Sequence, residues 1–233
     1  NNKKVLIPCY RADILHPIDL VEDISIAYGY ENFKPEIPNI FTIGEEFELE
    51  TLKRKLREIL IGLGLIETSS LIITSKELLE KINIKNSLVE IDNPINKEFN
   101  VLRSSIIPSL LQVLSENQHN EYPQKIFEIG IVTDNSEKEK LAIAICHEKA
   151  NFTEIKQVLD ALLFSLNLKY KLEGIQKDFL IEGRAGEIIS NENSLGIIGE
   201  VHPETLTNLN LPIPISILEI DLKILETSFL SKS

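Results

Sequence analysis

From Leu49 to Leu63 the apolar residues Leu49, Leu52, Leu56, Ile59, Leu60 and Leu63 recur at intervals of three and four. That spacing stacks side chains on one face of an α-helix and obliges the face to be buried against something else. Thr42-Ile43-Gly44-Glu45 ahead of it has the pattern of a capping box, and Gly62 and Gly64 mark its end. Two further helices of this kind are predicted. One starts near Ser104 or Ser105, with Pro108 in its first turn and Ile107, Leu110, Leu111 and Leu114 on its apolar face; the other is capped by Asn151-Phe152-Thr153-Glu154 and carries Ile155, Leu159, Leu162 and Leu166. Strands are expected at Ile66 to Thr74, Leu88 to Ile91, Lys125 to Thr133 and Leu141 to Cys146, with a short helix from Ser75 to Ile82. The polar turn Asp134-Asn135-Ser136-Glu137 makes the third and fourth strands a hairpin. More strands fill the region from Tyr170 to Asp221, interrupted by a helical turn or two at Pro203 to Leu209. Helices and hairpins mixed without βαβ alternation predict an α+β fold on a mainly antiparallel sheet.

The first residues stand apart. Val5-Leu6-Ile7 reads as β-like, and Pro17 opens a helix whose stripe is Leu20, Val21, Ile24, Ala27 and Tyr28, stopped by Gly29. Residues 1–30 are too few for a domain. Residues 31–41, with Pro35 and Pro38, form a stiff extended linker, and residues 42–233 are the large domain. No fixed-period repeat is present, so a solenoid is excluded.

Thirty-six acidic against twenty-four basic residues give a net charge of −12, which disfavours a broad phosphate-tracking surface. No apolar run reaches the roughly 20 residues a membrane span requires, and Asn1-Asn2-Lys3-Lys4 is not followed by a signal-type stretch, so a soluble, cytoplasmic chain is expected. The chain holds no methionine and starts without one, which reads as an internal segment. Cys9 and Cys146 are far apart without metal-ligand spacing, and both are expected to be buried small hydrophobes.

The most chemically suggestive feature is a set of acids: Asp13, then Asp19, Glu22 and Asp23 on one helix. Positions three and four apart share a face, and clustered carboxylates suit a hard cation such as Mg²⁺. The alternative is that first-turn acids answer the helix dipole and need no metal.

The run Tyr10-Arg11-Ala12-Asp13-Ile14-Leu15-His16-Pro17-Ile18-Asp19-Leu20-Val21-Glu22-Asp23, with Ile24-Ser25-Ile26-Ala27-Tyr28-Gly29-Tyr30 after it, resembles the phenylalanyl-tRNA synthetase β subunit of archaeal and eukaryotic type. The resemblance continues in order through Asn93 to Leu111, Tyr122-Pro123-Gln124-Lys125-Ile126-Phe127-Glu128-Ile129-Gly130 and Gly199-Glu200-Val201-His202-Pro203-Glu204. It implies that residues 1–30 are the tail of a small magnesium-binding domain, with Asp13, Asp19, Glu22 and Asp23 as the ligands. It implies a degenerate class II synthetase core for residues 42–233, in which the helix Phe47 to Leu63 offers a flank for subunit association. It also implies an (αβ)₂ heterotetramer in which the α subunit carries out ATP-dependent attachment of phenylalanine to tRNA(Phe).

The chain itself shows no catalytic or ATP-binding set. Lys125-Ile126-Phe127-Glu128-Ile129-Gly130 lacks the arginine of the class's ATP-binding motif, and Ile215 to Asp221 lacks the glycines and arginine of its third. Arg103 and Arg184 are read as structural ion-pair residues and His202 as a hydrogen-bonded turn histidine. Gly183-Arg184-Ala185-Gly186 lacks the lysine of a P-loop and reads as a tight turn between strands. The rival reading is a non-enzymatic paralogue that keeps the fold as an interaction module.

Overall fold

A computed structural model describes residues 4–84, 89–94, 96, 99–134 and 136–230 and divides the chain into two compact units, Asn1–Glu45 and Glu46–Ser233. The first holds the helix Pro17–Tyr28 (α1) and a single 3₁₀ turn, Tyr30–Asn32. Proline at the first helical position costs no hydrogen bond, and Gly29 closes the helix with bonds to the carbonyls of Ser25 and Ile26. The apolar stripe of α1 is not covered: no residue of the helix is buried.

In the second unit the chain runs Glu48–Gly62 (α2), Ile66–Glu67 (β1), Ile73–Thr74 (β2), Lys76–Lys81 (α3), Val101–Leu102 (β3) and Ile107–Glu116 (α4). A hairpin follows, Gln124–Thr133 (β4) and Glu137–Cys146 (β5), then Phe152–Ser165 (α5). The remainder is Lys171–Gly174 (β6), Leu180–Ser190 (β7), Asn193–Val201 (β8), Pro203–Asn208 (α6), Ile215–Asp221 (β9) and Leu222–Leu230 (α7). Seven strands form one sheet in the order β1-β4-β5-β9-β8-β7-β6, antiparallel throughout except where β1 lies parallel to β4. β2 and β3 form a separate antiparallel pair.

Both faces of this sheet are buried. Alternate residues of β4, β5 and β9 (Phe127, Leu141, Ile143, Ile145, Leu218 and Ile220) pack with Leu52, Leu56 and Leu60 of α2, Leu159 and Leu162 of α5 and Leu225 of α7. The intervening residues Ile126, Ala142, Ala144, Cys146, Ile215 and Ile217 pack with Ile107, Leu110, Leu111 and Leu114 of α4 and Leu206 of α6. A period of two with both phases apolar is what a strand covered on both faces requires. Each fully buried Leu or Ile is worth about 1.5–3 kcal/mol, so the two layers together hold the sheet.

Several expectations are corrected. Thr42 to Glu45 does not cap the long helix, which starts at Glu48 behind Phe47 with no side-chain cap. The helix begins only where its face meets the core, Leu52 being its first buried leucine, and Leu63 at its far end is exposed. The single strand expected from Ile66 to Thr74 is two, because β1 joins the large sheet and β2 the small one. Leu88 and Asn135, which belong to an expected strand and turn, lie outside the described residues; Glu90 makes an isolated bridge to Val101. Glu137, placed in the turn, opens β5, since the β4–β5 ladder continues beyond the core to Thr133 and Glu137. Val5 to Ile7 have no ladder partner among the described residues, and α7 was not anticipated. Gly183 to Ala185 lie inside β7, at a register break against β8, rather than between strands. Gly196 on β8 passes so close to β9 that a Cβ there would stand 1.9 Å from the carbonyl oxygen of Glu219.

The cysteines divide: Cys146 is buried and Cys9 exposed. Burial pushes the Cys146 thiol up to about 11, so at neutral pH it is almost wholly protonated and shielded. A thiol-specific reagent added to native protein is expected to label one cysteine quickly, identified by peptide mapping as Cys9, and the second only after denaturation.

Candidate functional site

The four acids singled out in the sequence lie in the first unit and have separate fates. His16 is the N-cap of α1: its Nδ1 accepts from the amide of Ile18 at 3.2 Å. Asp19, in the first turn, accepts through Oδ2 from the amides of His16 at 2.7 Å and Leu15 at 2.8 Å, closing a capping box whose leading residue is a histidine. The Asp13 carboxylate takes Arg11 Nε at 3.0 Å and Nη2 at 2.7 Å. Nη2 reaches on to Oδ2 of Asp23 at 2.8 Å, so one guanidinium bridges loop and helix. Glu22 is exposed and takes no part in this network. The Arg11 hydrogen bonds hold Asp13 below the usual carboxylate range, the amides of His16 and Leu15 do the same for Asp19, and Asp13 and Asp23 together raise Arg11.

Magnesium takes oxygen ligands in near-octahedral geometry and is usually held by more than one carboxylate and several waters. Both oxygens of Asp13 and one of Asp23 here accept from Arg11, and one of Asp19 accepts from the backbone. Among the described residues no group of three or more His, Cys, Asp or Glu side chains is placed to hold a metal ion. The acids as arranged do not fit a divalent cation.

In the second unit the buried charges are paired. Arg103, 1% exposed, donates from Nη1 to Glu128 Oε1 at 2.7 Å and to Ser70 Oγ at 2.8 Å, and from Nε to the carbonyl of Ile131 at 2.9 Å. Its guanidinium passes over Gly130, where a Cβ would stand 2.4 Å from Nη2. Glu219 of β9 accepts from Lys140 Nζ at 2.8 Å, from Ser105 Oγ at 2.8 Å and from the amide of Ile106 at 2.7 Å. It thereby holds the entry to α4, where negative charge is favoured. Lys140 and Glu219 line a cavity of about 440 Å³ together with Ser104, Ser105, Lys138 and Phe179. Glu200 joins Arg184 Nη1 at 2.7 Å to the amide of Phe152 at the start of α5. His202 caps α6, its Nδ1 accepting from the amide of Glu204.

Arg103, Arg184 and His202 therefore serve as the sequence indicated. The acids Glu128, Glu200 and Glu219 were not singled out for these roles. Their signal was present: a lone acid inside an apolar strand, as in Phe127-Glu128-Ile129 and Leu218-Glu219-Ile220, must find a partner or be neutralised. Arg11, Arg54, Arg57, Arg103 and Arg184, all the arginines of the chain, are each ion-paired to a carboxylate of the same chain.

Two predictions follow from these bonds. Replacing Glu128 by Ala leaves a buried guanidinium uncompensated, and the expected loss is about 3–5 kcal/mol in urea denaturation. In the first unit, Asp13 and Asp19 titrate lower in the folded form than in the unfolded one. Their contribution is full above the ordinary carboxylate pKa of about 4 and is lost as pH falls through the depressed folded values. The side-chain and amide signals of residues 11–23, followed by NMR on acidification, are expected to lose their folded positions below about pH 4 while those of the sheet persist.

Residues 34–222 match the family described as the phenylalanyl tRNA synthetase beta chain CLM domain, and residues 1–30 match the tRNA synthetase B5 domain. The phenylalanine–tRNA ligase beta subunit of Pyrococcus horikoshii is 41% identical over 230 residues, covering 94% of this chain and 41% of the relative. Those of Thermococcus sibiricus and Pyrococcus furiosus are each 40% identical, over 94% and 96% of this chain. The chain spans about two fifths of the length of the curated relatives it matches. Its fold is shared with the pyrrolysyl-tRNA synthetase of Desulfitobacterium hafniense, with a TM-score of 0.65 over 76% of this chain and 67% of that one at 16% identity. With residues 34–222 and 1–30 covered by these family matches and about 40% identity running over 94% of its length, the chain belongs to the phenylalanyl-tRNA synthetase β chain family.

Proposed function

We propose that this chain is part of the β subunit of a phenylalanine–tRNA ligase, acting in the cytoplasm as the partner of a catalytic α subunit that uses ATP to attach phenylalanine to tRNA(Phe). The carrying observation is identity of about 40%, sustained over 94% of the chain, to proteins of that name. In this reading residues 1–30 are the tail of a small domain, 31–41 a linker and 42–233 a degenerate class II synthetase core, within an (αβ)₂ assembly.

Physical reasons support a non-catalytic role for this part. Activation of an amino acid develops charge on phosphate oxygens, which arginines and metal ions stabilise. Here every arginine is engaged with a carboxylate of its own chain, and α4 lies across one face of the sheet while α2, α5 and α7 cover the other. A net charge of −12 likewise favours recognition of tRNA phosphates by other parts of the assembly. For the α subunit, the support is the exposed apolar residues Ile61 and Leu63 at the end of α2 and Ile66 on β1, a combination suited to an interface.

The test is co-expression of the full-length protein with the α subunit of the same genome, followed by size-exclusion chromatography and phenylalanine-dependent ATP–pyrophosphate exchange. Co-elution with exchange activity that neither protein shows alone is the expected result. A full-length protein that folds but elutes apart, and gives no exchange, would overturn the reading in favour of a paralogue with another partner. Ile61→Glu combined with Ile66→Glu is expected to abolish co-elution with little change in melting temperature, because both side chains are exposed.

A further inference from the structure

The acids of the first unit carry an inference that does not depend on the assignment just made. Four carboxylates within eleven residues, Asp13 to Asp23, repel one another and require a counter-charge. A bound cation is one solution and an internal one is the other. Arg11 sits between two of the four: its Nε and Nη2 make a fork on Asp13, and Nη2 reaches Asp23 at 2.8 Å, twelve residues away. A guanidinium is always charged, is planar, and matches a carboxylate with parallel donors. A third acid, Asp19, is satisfied separately, because its Oδ2 already accepts two main-chain N–H bonds. A cation that drew in Asp13 and Asp23 through these same oxygens would have to displace the guanidinium. The turn before Arg11 is itself closed, its amide donating to the carbonyl of Pro8 at 3.0 Å.

We propose that Arg11, rather than a divalent cation, is the counter-charge of this acid cluster, and that it fastens the loop of residues 8–16 to α1. Asp13 and Asp23 are then ion-pair partners, Asp19 is a helix cap, and Glu22 is a solvated acid on the exposed side of the helix.

The test uses the full-length protein and two readouts, hydrogen exchange of the peptides covering residues 9–29 and equilibrium dialysis against Mn²⁺ as a magnesium surrogate. For the unaltered protein, exchange in millimolar magnesium and in EDTA is expected to be the same, with no manganese bound through these acids. Arg11→Gln is expected to exchange several-fold faster in EDTA and to be slowed again by magnesium, since its freed carboxylates now accept a cation. Arg11→Lys, which keeps the charge and loses the fork, is expected to fall between the two.

Faster exchange of the unaltered protein in EDTA would overturn the proposal. So would stoichiometric manganese binding that disappears in Asp19→Asn/Asp23→Asn, or an Arg11→Gln protein whose exchange matches the unaltered one. Should Arg11→Gln unfold the segment beyond rescue, the comparison of magnesium with EDTA in the unaltered protein still decides.

Discussion

A guanidinium taken out of water must bring its partners with it, and much of the larger unit is arranged around that requirement at Arg103. Its side chain gathers Glu128 and the carbonyl of Ile131 from β4 and Ser70 from the segment after β1. Its main chain joins the same region, the amide donating to Ile72 and the carbonyl accepting from Thr133. One residue thus ties the entrance of α4, the edge of the large sheet and the β2–β3 pair. Desolvating the two charges costs several kcal/mol each, so the pair adds little to net stability; what it adds is a single permitted arrangement. Gly130 is part of the same arrangement, since only a residue without a Cβ leaves room for the guanidinium.

Lys140 and Glu219 repeat the device on the neighbouring strands. Glu219 divides its oxygens between a lysine on β5 and the start of α4, so the sheet face and the helix that covers it are fixed in register by one carboxylate. Glu200 does the equivalent for α5, between Arg184 and the amide of Phe152. These acids act as helix anchors. Together with Glu128 they are the buried carboxylates of a sheet whose core is otherwise mostly apolar on both sides.

The parts of this fold that could be read from sequence are those decided locally. Spacing placed α2, α4 and α5 through leucine and isoleucine faces, and Asn151, Pro17 and Pro108 marked starts because capping and proline geometry act within one turn. The boundary at Glu48 was hidden because Thr42-Ile43-Gly44-Glu45 has the form of a cap without a core beside it. The split of Ile66 to Thr74 depends on which strands arrive from residues 101–127, and no local pattern encodes that. The acids followed the same rule. Their clustering was visible, but Arg11 as the bridge and His16 as the cap depend on how the loop folds back onto α1. Cys9 was misjudged because a small apolar residue is buried only if something covers it.

The order of strands in the large sheet sets a timetable for its assembly. Among the described residues β9 is the last strand in chain order, yet it lies at the centre of the sheet, between β5 and β8. Until residues 215–221 have left the ribosome, the sheet exists as two pieces, a β4–β5 hairpin and a β6–β7–β8 meander, each with an open apolar edge. Such edges are templates for mispairing, and contacts between residues so far apart in sequence form slowly. Closure by β9 removes both edges at once and brings Glu219 to Lys140 and to the start of α4. A message cut short before this strand would therefore yield a sticky polypeptide with most of its secondary structure and no finished core, a substrate for chaperones and proteases rather than a smaller folded domain.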